Sequence, residues 1–166
     1  MHEENQGNLN LDLLSKAKES AIIYLSYRDR SIAEMNRRLS KKGYPPEVIE
    51  NVIHTLEETD LLNDERFALS YSSYKVEDKS WGPEKLRFEL RVKGIDKELA
   101  EKVINRTYEK YSQNDLIQKL ISKRLKNRQE ANRAEMKKHI DYLKRRGFRW
   151  DVIREAISDN EGYFTD

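Results

Sequence analysis

One segment design recurs three times in this chain, and it constrains the fold more than any other feature. The copies read RRLSKKGYPPEVIENVI, FELRVKGIDKELAEKVI and DYLKRRGFRWDVIREAI, built around Gly43, Gly94 and Gly147. In each, a basic helical stretch stops at the glycine, an apolar residue follows at once, and a second apolar stretch begins. The glycines stand 51 and 53 residues apart. A period of this length marks an array of small helical units, each too small to bury its apolar face without a neighbour. Such a modular, charged surface suits the binding of a polymer better than the enclosure of a substrate.

The stretches between these anchors carry helical spacing and helical punctuation. From Leu11 to Tyr27 the apolar positions are Leu14, Ala17, Ala21 and Leu25. Ser31 with Glu34 makes a capping box for the next helix, whose stripe is Ile32, Met35 and Leu39. Gly43 supplies the left-handed residue that ends it. Pro46 fits the first turn of a third helix, which buries Val48, Ile49, Val52, Ile53 and Leu56. The second group opens at LLNDERFA, with Asn63 as N-cap and Phe67, Tyr71 and Tyr74 at i, i+4, i+7. In SWGPEKL, Gly82 is the cap, Pro83 the first helical residue, and Trp81 a staple onto Leu86. Leu86 and Leu90 face inward, Asp96 caps the next helix, and Leu99, Val103 and Ile104 are its buried side. The third group begins near Ser112 with Leu116, Ile117, Leu120 and Ile121. Asn132 with Glu135 repeats the cap, Met136, Ile140 and Leu143 form the stripe, and Trp150, Val152, Ile153, Ala156 and Ile157 line the last helix. No alternating β-branched run competes as a strand. The expected fold is all-α: nine helices as three tandem three-helix repeats, at 11–58, 59–110 and 111–158. Residues 1–10 and the acidic end, 159–166, are expected to be flexible.

Charged residues make up 37% of the chain, against about a quarter in an average domain, which fits thin helical layers with much exposed surface. The net charge of +2 conceals an asymmetry. Between Lys123 and Arg149 there are eleven Lys and Arg but three Asp and Glu, so the rest of the chain is net acidic. A basic block of this kind points to an anionic partner such as nucleic acid, or equally to a solvated helical face. The absence of cysteine excludes disulfides and thiolate metal sites. No apolar run approaches the ~18 residues of a membrane span, and the polar N-terminus has no signal or transit signature. A cytoplasmic, monomeric protein is expected.

Catalytic signatures are missing. His2, His54 and His139 lie far apart, which favours surface or helix-flanking roles over metal binding. Neither a glycine-rich phosphate loop nor a nucleophile elbow occurs. The paired carboxylates Glu57–Glu58 and Asp64–Glu65 sit at helix ends, where capping explains them. No enzyme, metal or cofactor is expected.

The informative chemistry is cationic. Lys41 and Lys42, Arg91 and Lys93, and Lys144, Arg145 and Arg146 fill the last turn before each repeat glycine, and Arg149 follows the third. Cations there offset the helix dipole by roughly 0.3–1 kcal/mol. The third copy exceeds that need, and an equivalent basic edge in every unit would form a stripe able to follow phosphates or an acidic groove of a protein polymer. Arg28 and Arg30 either extend the stripe or end a helix. Trp81 and Trp150 read as packing residues, since staple and stripe spacing account for both.

Together these phrases resemble the RecX family of bacterial recombination regulators. AIIYLSYRDRSIAEMNRRLSKKGY is similar to the family's first repeat, LLNDERFA to its linker, WGPEKLRFELRVKGI to its second repeat and YLKRRGFRWDVI to its closing one. The likeness covers about residues 15–157. SWGP departs from the usual basic-Gly lead, and His139 stands where the other copies place Met35 and Leu86. Some relatives from Gram-positive bacteria carry extra N-terminal sequence, which would make this chain a shortened form. The resemblance implies an elongated, curved array that lodges in the groove of a RecA filament on single-stranded DNA. There it would suppress ATP hydrolysis, strand exchange and co-protease activity, and so modulate recombinational repair and the SOS response. Some members also bind DNA directly, and a nonspecific nucleic-acid-binding module is the alternative. The candidate contacts to RecA or DNA are then Arg28, Arg30, Arg37, Arg38, Lys41, Lys42, Lys85, Arg87, Arg91, Lys93, Lys123, Arg124, Lys144, Arg145, Arg146 and Arg149. Gly43, Gly94, Gly147, Trp81, Pro83, Phe67 and Trp150 are the structural positions.

Overall fold

Left-handed glycines end the helices where the repeat requires. In a computed structural model of the protein, Gly43, Gly94 and Gly147 have φ of 86°, 81° and 92°. The structure describes residues 2–125 and 133–158, with side chains from 10–125 and 135–158. Among the described residues there are nine helices and no strand: α1 His2–Tyr27, α2 Ile32–Lys41, α3 Pro46–Glu58, α4 Asp64–Lys79, α5 Pro83–Val92, α6 Lys97–Tyr108, α7 Gln113–Leu125, α8 Arg133–Arg145 and α9 Trp150–Ser158. The expected caps are present. Ser31 and Glu34 form the reciprocal box, and Asn63 Oδ1 accepts from the Arg66 N–H at 2.9 Å. Asp96 accepts from Glu98 and Leu99 at 2.9 and 3.0 Å, and Ser112 from Asp115 at 3.3 Å. The cap expected at Asn132 lies outside the described residues.

The chain divides into two compact units, residues 1–68 with 92–95, and residues 69–91 with 96–166. The division falls inside α4. In the first unit, α1 packs on α2 and α3, and α2 on α3. Its core is Ala17 and Ala21 of α1, Met35 and Leu39 of α2, five apolar residues of α3, and Leu62. The two alanines are fully buried, and their small side chains bring the α1 backbone close to its partners. Phe67 is buried at the start of α4. In the second unit, α7 packs on α8 and α9, and α8 on α9. Buried there are Leu86 and Leu90 of α5, Val103 and Ile104 of α6, Ile117 and Ile121 of α7, Leu143 of α8 and Ile153 of α9.

Two glycines make a joint that no side chain could occupy. The N–H of Gly82 donates to the Arg146 carbonyl at 2.7 Å, and that of Glu84 to the Gly147 carbonyl at 3.1 Å. The start of α5, led by Pro83, therefore meets the end of α8, and each satisfies groups the other leaves unpaired. A Cβ on Gly82 would stand 2.5 Å from the Gly147 carbonyl carbon, and one on Gly147 would stand 2.9 Å from the Lys85 Cα. The glycine of SWGP is thus a packing requirement of this contact.

α1 begins at His2. Three expectations need correction. Tyr74 is exposed, because the buried side of α4 drifts to Ser72 and Val76. Trp150 is half exposed at the first position of α9, where the stripe has not yet turned inward. His139 is buried among the helices of the second unit, because its place in the repeat is a core position, occupied elsewhere by Met35 and Leu86. His54 is exposed and pairs with Glu58 at 3.3 Å. The expectations for His2 and for residues 159–166 fall on residues whose side chains or structure are not described.

Candidate cationic interface

In the first unit, several of the cations are consumed by internal pairing. Glu34, buried in the first turn of α2, receives both arms of the Arg28 guanidinium at 2.9 and 3.1 Å and the Lys93 ammonium at 2.8 Å. Burial is the largest single influence on this carboxyl and opposes its ionisation. The hydrogen bonds and charges of Arg28 and Lys93 together outweigh it and lower the pKa from 4.5 to about 2. Ser31 completes the cluster, its hydroxyl donating to the Lys93 carbonyl at 2.6 Å, while the Ile32 N–H donates to Asp64 at 2.8 Å. Gly94 lies against the Cβ of Ala33, which fixes residues 92–95 beside α2. Arg28 therefore ends α1 and braces α2.

Of the other candidate cations in that unit, two lie against one ring. Arg30 lies 3.9 Å from the ring centroid of Tyr24 and Arg38 5.2 Å from it. The Arg30 Nε is buried without a hydrogen-bond partner, so the ring supplies its main stabilising contact among the described residues. Lys42 donates to Ser20 at 3.0 Å. Arg37 and Lys41 are exposed, with no ion pair among the described residues.

In the second unit Arg87 is committed to structure. It pairs with Glu84 at 2.7 Å and with both oxygens of Glu101, and these partners raise its pKa. Lys85 and Lys75 stand 4.7 and 5.0 Å from the Trp81 ring centroid. The Trp81 ring also meets Tyr71 edge-on at 6.4 Å, and its carbonyl accepts from the Tyr108 hydroxyl. Trp81 thus ties α4, α5 and α6 together. Arg91 lies 5.6 Å from the ring of Phe88, Lys144 5.2 Å from that of Trp150, and Arg149 pairs with Asp151 at 3.2 Å. Arg145 is exposed.

Lys123, Arg124 and Arg146 are brought together. With Lys79 and Lys119, which sequence reasoning missed, they line a cavity of about 600 Å³ formed by the end of α4, α7 and α8. Among the described residues Asp78 is the only carboxylate in its lining. Arg124 and Arg146 both lie over the Tyr142 ring, at 4.4 and 5.0 Å, and Arg146 donates to the Lys79 carbonyl at 2.5 Å. Arg124 also donates to Nδ1 of His139 at 3.1 Å. Burial first, and the Arg124 charge second, lower the His139 pKa, which keeps the imidazole a neutral acceptor. The Lys119–Lys123 pair at i, i+4 was the sequence signal available for this cluster. Among the described residues no group of acidic, histidine or cysteine side chains could hold a metal ion, and no helix is long and apolar enough to cross a membrane.

Three family models match the chain in order. They are described as the first, second and third three-helix domains of RecX, at residues 17–56, 63–104 and 112–157. The regulatory protein RecX of Bacillus velezensis is 36% identical over 155 residues, covering 90% of this chain but 57% of its own length, so the chain spans little more than half of that relative. The regulatory protein RecX of Prosthecochloris aestuarii is 34% identical, with 87% of this chain and 93% of its own covered. A crystal structure of RecX from Lactobacillus salivarius superposes with a TM-score of 0.78 at 28% identity, over 91% of this chain and 98% of its own. Three matched three-helix domains in the family's order, over most of the chain, make this protein a member of the RecX family.

Proposed function

We propose that this protein regulates RecA by binding its filament on single-stranded DNA. It thereby restrains ATP hydrolysis, strand exchange and co-protease activity, and through them recombinational repair and the SOS response in the cytoplasm. The observation that carries the proposal is the complete tandem set of family domains in a chain 34% identical to a regulatory protein over nearly the whole of both. The chemistry is compatible. The described cations that remain outside internal pairs, such as Arg37, Lys41 and Arg145, are available to an acidic surface, and modest contacts repeated on linked modules gain from effective concentration. Regulation then needs no catalysis: a bound protein favours whichever filament state it fits best, by its differential affinity alone. Titration into RecA from the same bacterium on single-stranded DNA should lower ATP turnover well below one regulator per RecA. Unchanged turnover at equimolar protein in low salt would refute the proposal.

A further inference from the structure

Contacts within the fold account for only some of the cations in the basic cavity of the second unit. Three of its cations have local partners: Lys79 pairs with Asp78 at 2.8 Å, and Arg124 and Arg146 are held against Tyr142. Lys119 and Lys123 are exposed, one helical turn apart on α7, with no ion pair among the described residues. Like charges at this spacing oppose helix formation, and the Arg146 charge works against that of Lys79. Repulsion has therefore been concentrated in a concavity, where field lines are focused and an anion gains most. The Tyr142 ring contacts both guanidinium groups, each with a planar fork suited to phosphate oxygens. Ser80, buried in the lining, ends α4 with a left-handed φ of 48°.

From these features we infer that the cavity lined by Lys79, Lys119, Lys123, Arg124 and Arg146 is a phosphate site, taking two or more phosphate groups held close together on one molecule. Five cations against one carboxylate exceed what a single monoanion would neutralise. A nucleic-acid strand brings one negative charge per nucleotide along its backbone, and a small polyphosphate brings the same groups as a compact cluster. Besides its cations the described lining holds Asp78, Ser80, Leu120 and Tyr142, so charge dominates it, and contacts to phosphate carry no base identity. This inference is independent of RecA binding.

The test uses the whole chain with two probes, a short fluorescein-labelled oligothymidylate followed by anisotropy, and inorganic tripolyphosphate followed by calorimetry. Lys119→Gln/Lys123→Gln removes two unpaired exposed charges. On the oligonucleotide it should reduce the slope of log affinity against log salt by about 1.4, or ~0.7 per lost contact on a single strand, which is roughly twentyfold in affinity near 0.1 M salt. Lys137→Gln/Lys138→Gln, an equal change at exposed positions of α8 outside the cavity, should have a much smaller effect. The tighter probe identifies the source of the phosphates, and either one, lost selectively in the cavity variant, supports the site. Equal losses in both variants, no binding of either probe by the unaltered chain, or equally tight cavity-dependent binding of polyglutamate would each overturn it. Circular dichroism of both variants checks their folding, and RecA ATPase measured alongside keeps this outcome separate from the regulatory proposal.

Discussion

The three repeat glycines are equivalent in sequence, but their surroundings make replacement by alanine very unequal. At Gly43 an added Cβ meets nothing within 4 Å, so Gly43→Ala carries only the left-handed backbone term. That term is about 1–2 kcal/mol, offset by about 0.4–1 kcal/mol from the stiffer unfolded chain, leaving roughly 0.5–1.5 kcal/mol. Gly147→Ala carries the same term and places its Cβ 2.5 Å from Cβ and 2.9 Å from Cα of Lys85, in the first turn of α5. Relief requires α5 and α8 to separate, which strains the hydrogen bonds from Gly82 and Glu84, about 1 kcal/mol each, with about 1–3 kcal/mol of overpacking besides. The expected loss is about 3–6 kcal/mol, or a fall of ~10 °C or more in Tm. Both tryptophans, Trp81 and Trp150, lie in the second unit, so their fluorescence follows that unit in urea while circular dichroism follows both. Gly147→Ala should shift the fluorescence transition strongly and Gly43→Ala should leave it nearly in place. If the two variants lose stability to within about 1 kcal/mol of each other, the α5–α8 joint does not have the tightness described here.

Further expectations concern single groups. The folded pKa of Glu34 lies below its unfolded value, so its stabilisation is fully present above about pH 4.5 and is lost as the pH falls toward about 2. A group so shifted contributes on the order of 2–3 kcal/mol at neutral pH, so Glu34→Gln should lower the urea midpoint read by circular dichroism at pH 7 and flatten its fall between pH 5 and 3. His139 is depressed in the folded state, so the unfolded chain binds the extra proton first and the second unit should weaken as the pH drops below about 6.5. His139→Leu, with an apolar side chain as at Leu86, should remove that dependence from the fluorescence-detected midpoint; an unchanged pH profile would contradict it. Tyr108→Phe leaves the Trp81 carbonyl without its hydroxyl donor and should cost about 1–2 kcal/mol in the same assay.

Helix ends were legible in the sequence because their chemistry is local. Ser31 with Glu34, Asp96, and the glycines at 43, 94 and 147 each settle an orphan backbone group or a positive φ within a few residues of themselves. The apolar stripes of α3 and α7 were legible for the same reason, since burial follows from helical spacing alone. What could not be read depends on partners far along the chain. Lys93 reaches Glu34 across 59 residues, and Arg146 reaches the Lys79 carbonyl across 67. Consequently the cations before the repeat glycines look alike in sequence, although Lys93 is spent on a buried carboxylate and Arg146 faces a basic cavity. Lys79 and Lys119 belong to no repeat signature and were placed in that cavity only by tertiary packing. The helical start at His2 was obscured because polar composition signals exposure and does not distinguish a coil from a solvated helix.

The most direct measurement of the proposed activity is co-sedimentation of the labelled chain with RecA filaments assembled on single-stranded DNA with a non-hydrolysable ATP analogue. Binding to the filament predicts that the label pellets with RecA at fewer than one chain per protomer, and stays in the supernatant with DNA alone at a salt concentration that screens weak phosphate contacts. Label that remains soluble at every ratio of chain to filament, or that pellets equally without RecA, would contradict it.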